Sequence, residues 1–138
     1  MSKILAIDYG SKRVGVAITD SLKIIATGLS TVSTLNIYSF LEEIIQKEKI
    51  SHIVVGLPKN LDNSNTDSTN EISVFINKLK QLYSNIVVDS IDERFTSSMA
   101  KKTILSSGVS KKRRRDKALV DQVSATIILQ SYLQKLSN

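Results

Sequence analysis

Cysteine is absent and histidine occurs once, at His52. The first absence excludes disulfides and thiolate metal sites, and it fits a reducing compartment. The second leaves oxygen donors as the only plentiful metal ligands. His52 opens a strand and is read as structural rather than catalytic. Ser11, Ser97 and Ser98 have no base beside them in any motif, which argues against a nucleophilic serine. Aromatic residues are 5% of the chain, so base stacking is not the evident way for it to hold a nucleic acid. No apolar run approaches the ~18 residues that cross a bilayer. One lysine and then a strand stand where a secretory signal would be. A cytoplasmic protein with no membrane partner is the expectation.

The 138 residues suffice for one domain, 1–138, with a real core, and are too few for two. The net charge of +6 suits a polyanionic partner.

Ile4 to Ile7 read as a strand buried on both faces, with Asp8 at its end and Gly10 opening a turn. Residues 3–8 and 13–20 form a hairpin around Tyr9 to Lys12. Ile24-Ile25-Ala26 begins a third antiparallel strand that reaches about Val32, with a break at Gly28. From Asn36 the period changes. Ile37, Phe40, Leu41, Ile44 and Ile45 make the stripe of an amphipathic helix that ends near Lys49. His52 to Leu57 is a second buried strand, closed by Pro58, the single proline. A long polar loop, Lys59 to Asp67, follows. Ser68-Thr69-Asn70-Glu71 has capping-box spacing and starts a helix with Ile72, Phe75, Ile76, Leu79 and Leu82 on one face. Ile86-Val87-Val88 begins a third buried strand that runs into Asp89 to Arg94. Thr96 or Ser97 then caps a helix stopped by Gly108, and a last helix spans about Lys117 to Leu136. The fold class is α/β: a mixed five-stranded sheet, three antiparallel strands and then two parallel additions, flanked by helices. Ligands bind such sheets beyond the carboxyl ends of the parallel strands.

Three carboxylates stand out. Asp8 at a strand end either binds turn N–H groups or serves a site. Glu93 is either a site acid or part of a solvated strand end in which Arg94 pairs locally. Asp121 shares a helical face with Ala118, Ala125, Ile128, Leu129, Tyr132 and Leu136, so it lies within an apolar stripe. A buried carboxylate is coordinated or paired, and a salt bridge to a lysine or arginine is the alternative to a ligand. Asp116 is a natural N-cap for the same helix. If the three converge, oxygen donors without His or Cys select Mg²⁺ or Mn²⁺. Two such ions about 4 Å apart suit phosphodiester hydrolysis.

Lys111 to Lys117 carries six positive charges and one negative, most of the net charge. Five like charges in a row repel one another and mark a segment that binds polyanions or, alternatively, a solvated loop. The expected nucleic-acid contacts are Lys12, Arg13, Arg94, Lys111, Lys112, Arg113, Arg114 and Arg115. The glycines near Tyr9 and Val14 form neither a Walker nor a dinucleotide fingerprint.

Four stretches, "AIDYGSKRVGVAITD", "IVVGLP", "DERFTSSMA" and "KKRRRDKALVDQVSATIILQSYL", occur in that order. With them the chain resembles the YqgF (RuvX-like) family, described as pre-16S rRNA nucleases and Holliday-junction-resolvase-like proteins of the RNase H-like superfamily. The resemblance runs along nearly the whole chain. It implies an RNase H-like fold and a hydrolase that cuts nucleic acid with Mg²⁺ or Mn²⁺, two ions being expected. The family's acidic positions match Asp8 in "DYG", Glu93 in "DER" and Asp121 in "DQVSA", as catalytic and metal-binding residues. The implied role is processing of the 16S rRNA precursor in ribosome biogenesis. The partner is RNA or a branched nucleic acid, met by a monomer or weak homodimer. Two departures, Asp62-Asn63 where the family has "DG" and Ser124-Ala125 where it often has "AA", touch no carboxylate. The alternatives are a Holliday-junction-type DNA resolvase and a non-catalytic RNA-binding assembly module. A sugar-kinase-like phosphotransferase also begins with a strand–Asp–Gly hairpin, but it needs two domains around its cleft.

Overall fold

Two apolar periods meet in the sheet. The computed structural model describes residues 2–58, 69–92 and 116–137. Its strands are β1 (Lys3–Tyr9), β2 (Arg13–Thr19), β3 (Ala26–Ser33), β4 (Ile50–Leu57) and β5 (Val87–Asp92). A single 3-10 turn, Thr34–Asn36, leads into α1 (Ile37–Lys47); α2 is Thr69–Leu82 and α3 is Lys117–Ser137. The sheet order is β3-β2-β1-β4-β5. β1 is antiparallel to β2 and β2 to β3, whereas β1 and β4 and then β4 and β5 run parallel. This is the mixed α/β sheet that the sequence predicts.

Ile4 to Ile7 are fully buried because the sheet is covered on both sides. Leu5 and Ile7 join Val14, Val16, Ile53 and Val55 against Ile37 and Leu41 of α1 and Ile72, Phe75 and Leu79 of α2. Ile4 and Ala6 point the other way, with Ala17 and Val54, against Ala125, Ile128, Leu129 and Tyr132 of α3. Each fully buried Ile or Leu contributes about 2 kcal/mol relative to exposure. The α3 side of the sheet is small near β1 and β2 (Ala6, Gly15, Ala17), so this helix lies close to the strands. Where the β1–β4 register shifts between Lys3 and Ile4, the Ile4 N–H donates to Thr19 Oγ1 at 2.9 Å, so a buried donor is satisfied.

Two expectations change in detail. Ile24 and Ile25 are not in a strand; they are 69% and 61% exposed in the turn before β3. Both N–H groups donate to Asp20 Oδ1 at 2.9 Å, and Lys23 takes a left-handed φ of 60°. Those two bonds hold the Asp20 carboxyl below the usual range, and the side-chain oxygen replaces the ladder there. The break at Gly28 is real and has the form of a bulge, since Val16 faces Ser30 while Ala17 faces Gly28. Leu82 and Leu136, expected on buried stripes, lie half-exposed near the ends of their helices. The start of α3 agrees with its capping expectation. Asp116 Oδ1 accepts from the Ala118 N–H at 3.0 Å, as an N-cap does. Thr69 Oγ1 donates to the Pro58 carbonyl at 3.0 Å, which ties α2 to the end of β4. Glu93, Arg94, the 59–67 loop, Ser68, the helix expected between Thr96 and Gly108, and Lys111 to Arg115 lie outside the described residues. Among the described residues, no helix is long and apolar enough to cross a membrane.

His52 pairs with Ile4 across β1 and β4, at the end of the sheet away from Asp8. Its Nδ1 lies 2.8 Å from Ser51 Oγ, and its ring tilts toward Tyr132. Burial lowers the imidazole below the ordinary histidine value; nearby Lys23 adds to this and Asp89 opposes it. The unfolded chain therefore binds this proton at a higher pH than the folded one. Stability from His52 is fully present above about pH 6.5 and is lost as pH falls through the lower folded value. Urea midpoints between pH 5 and 8 should fall toward acid in the native chain and flatten in His52→Gln. A native midpoint that rises toward pH 5 would contradict this.

Candidate active site

Strand alternation places Asp8 on the α3 side, two residues beyond Ala6 and four beyond Ile4. In the hairpin ladder Asp8 stands opposite Gly15. At Gly15 the backbone of α3 lies directly against the sheet. A Cβ built there would overlap the backbone carbonyl of Asp121 and lie 3.1 Å from the Asp121 Cβ. The missing side chain thus lets α3 set Asp121 directly over β2, beside Asp8. A glycine inside a strand signals such a close approach, and this role of Gly15 does not follow from fingerprint motifs.

One cleft of about 210 Å³ is lined by Asp8, Gly10, Ser11, Lys12, Arg13 and Asp121. The turn of the β1–β2 hairpin forms its rim. Thr34 holds that turn from behind: its Oγ1 donates to the Gly10 carbonyl at 2.7 Å and its N–H to the Lys12 carbonyl at 3.1 Å. Thr31 Oγ1 donates to the Ala118 carbonyl at 2.7 Å, fastening the first turn of α3 to β3. Neither threonine carries a local signal of these partners, which lie 24 and 87 residues away.

Arg13, the first residue of β2, faces α3 as Gly15 and Ala17 do. Its Nε donates to Asp121 Oδ2 at 2.6 Å, with side chains 40% and 18% exposed. The ion-pair alternative for Asp121 is therefore realised in this structure, with Arg13 as the partner. The pair holds the carboxylate at the cleft in one orientation.

Of the expected acids, Asp8 and Asp121 are brought together at one cleft; Glu93 directly follows Asp92, the last residue of β5, and lies outside the described residues. Among those residues, no three His, Cys, Asp or Glu side chains group as a metal cluster. Of the expected basic residues, Lys12 and Arg13 line the cleft. Arg94 and Lys111, Lys112, Arg113, Arg114 and Arg115 lie outside the described residues.

A family model described as "RuvX: Holliday junction resolvase" matches residues 2–135. A relative from Phocaeicola vulgatus is 50% identical over 134 residues, 97% of this chain and 96% of the relative. One from Porphyromonas gingivalis is 51% identical over 133 residues, 96% of each. Both carry the name "Putative pre-16S rRNA nuclease". Among solved structures, RuvC of T. thermophilus in complex with Holliday junction substrate superposes with a TM-score of 0.62 at 11% identity, over 100% of this chain and 98% of that one. The fowlpox virus Holliday junction resolvase gives 0.58 at 14% identity, over 96% and 99%. At such identities the likeness is one of fold: the sheet and helices are those of RuvC-like, RNase H-fold proteins.

Proposed function

The chain belongs to the RuvX family, and on that premise we propose that it is a divalent-metal-dependent nuclease that hydrolyses phosphodiester bonds in structured RNA, the 16S rRNA precursor being its substrate. It acts in the cytoplasm during ribosome biogenesis, as one nuclease domain over residues 1–138 and as a monomer or weak homodimer. The observation that carries the reading is the meeting of Asp8 and Asp121, from a strand end and a helix, at one cleft that also presents Lys12 and Arg13. The names of its half-identical relatives point to the same substrate.

The donors fit Mg²⁺ or Mn²⁺. Asp8 and Asp121 offer hard carboxylate oxygens on rigid elements, and Asp121 already carries a cationic partner. Glu93, one residue past β5, is the third acid of the proposed set. Divalent ions held there would supply Lewis acidity toward the phosphate under attack. Lys12 and Arg13 neutralise and orient that phosphate at the rim. Arg94 and the run of Lys111, Lys112, Arg113, Arg114 and Arg115 hold flanking backbone phosphates without reading sequence. Thr34 keeps the hairpin turn from shifting while substrate binds.

A second reading, resolution of four-way DNA junctions, is favoured by the family description and the RuvC-like fold. Cleavage of a 16S precursor RNA and of a four-way junction, each with Mn²⁺ and with chelator, separates the two. The proposal predicts cutting of the RNA that needs Mn²⁺ and stops with chelator. Cutting of the junction alone would favour the second reading. Binding without cutting of either would make the protein an assembly module.

A further inference from the structure

Arg13 and a divalent cation require the same carboxylate. The Arg13 Nε sits 2.6 Å from Asp121 Oδ2, at the short end for a charge-assisted hydrogen bond. Asp121 is anchored: its backbone rests on Gly15 and its helix is tied to β3 through Thr31. Arg13 is not anchored in the same way. It follows the hairpin turn at the start of β2, its side chain is 40% exposed, and it lines the open cleft with Asp8 and Lys12. One partner is thus fixed, while the other has the length and the open space to leave.

We propose that Arg13 is an exchangeable counter-charge: it neutralises Asp121 while no divalent cation is bound, and it turns to a substrate phosphate once one is. The inference rests on the reading of this cleft as a divalent-cation site. Without a cation, Asp121 lies over the residue that pairs with Asp8, and the two acids repel unless a positive charge stands near them. Arg13 supplies that charge. A bound cation replaces it in that role, and Arg13 is then a positive charge beside another positive charge. A phosphate is its natural next partner, because the planar guanidinium can donate two parallel hydrogen bonds to it. The exchange couples the two ligands. Substrate that draws Arg13 away raises the affinity of Asp121 for the cation, and the cation raises affinity for substrate by the same factor. In the free protein the cleft is kept weak for stray cations and becomes strong for them only when a polyanion is present.

The test uses the full chain and Mn²⁺ alone, its binding followed by electron paramagnetic resonance. Arg13→Gln should bind Mn²⁺ about tenfold more tightly than the native protein, the scale of one charge-assisted hydrogen bond removed from a competitor. Lys12→Gln removes an equal charge from the same cleft without touching the pair, so its gain should stay below about threefold. If Arg13→Gln fails to fold, Arg13→Met serves instead, because it keeps an aliphatic stem and loses both the charge and the Nε donor; its Mn²⁺ affinity should also rise. A second readout is binding of an RNA with a non-hydrolysable backbone. Mn²⁺ should strengthen it for the native chain and fail to do so for Arg13→Gln. Equal Mn²⁺ affinity in native and Arg13→Gln proteins, or an equal gain in Lys12→Gln, would overturn the exchange and leave the cation site standing. Absence of Mn²⁺ binding in every variant would overturn the cation site and the exchange together.

Discussion

Asp8→Asn should reduce cleavage roughly a thousandfold, the rate equivalent of several kcal/mol of charge stabilisation, and leave the fold in place. The substitution keeps volume and one acceptor oxygen but removes the charge that a divalent cation needs. The strand that carries it is held independently of residue 8: Ile4, Leu5, Ala6 and Ile7 are fully buried, and Leu5, Ala6 and Ile7 are paired on both edges, to β2 and β4. The thermal midpoint should therefore move by no more than a few degrees, as for a change worth about 1 kcal/mol or less. Single-turnover cleavage at saturating enzyme, with circular dichroism melting beside it, measures both. A native cleavage rate in Asp8→Asn would reject the site. A collapsed fold would show that Asp8 is structural first.

The second large effect belongs to a residue with no side chain. Gly15→Ala puts a methyl group where the Asp121 carbonyl lies. The obstacle is helix backbone, not the end of a flexible side chain, so α3 must lift from the sheet. That loosens the layer of Ile4, Ala6, Ala17 and Val54 against Ala125, Ile128 and Leu129. Overpacking of this kind costs about 3 kcal/mol. It also moves Asp121 relative to Asp8, and a displacement of about 1 Å at a reacting centre can cost ~100-fold in rate. Gly28→Ala is the control. Its Cβ would meet the side chains of Gln122 and Thr126 at 3.4 Å, an ordinary contact, so stability and rate should stay near native. Urea unfolding and single-turnover cleavage of both variants test the pair. Native behaviour in Gly15→Ala would mean that α3 does not need this close approach.

The legible part of this protein is the part written in local period. Runs of apolar residues placed the buried strands, and the change from period 2 to 3.6 at Asn36 placed α1. Because α3 shows one apolar face, an acid on that face could be picked out, and Asp121 is that acid. What stayed hidden depends on how distant segments register. Arg13 and Asp121 are 108 residues apart, and nothing near either one names the other. The sequence predicts a lysine or arginine as the alternative partner of Asp121 but does not single out Arg13. The sequence around Gly15 carries no fingerprint motif, because its meaning is the helix above it. Thr34 holds the cleft's rim through a carbonyl 24 residues earlier. Ile24 and Ile25 misled because their hydrophobicity suggests a strand, whereas Asp20 captures their N–H groups in a turn.

The proposed nuclease requires that Asp8 and Asp121 together hold a divalent cation. Anomalous diffraction from crystals of the full chain grown with Mn²⁺ tests it most directly. A Mn²⁺ peak is expected in the cleft about 2.2 Å from carboxylate oxygens of both residues, with Arg13 turned away from Asp121. A cleft without such a peak at saturating Mn²⁺, with Arg13 still bonded to Asp121, would contradict it.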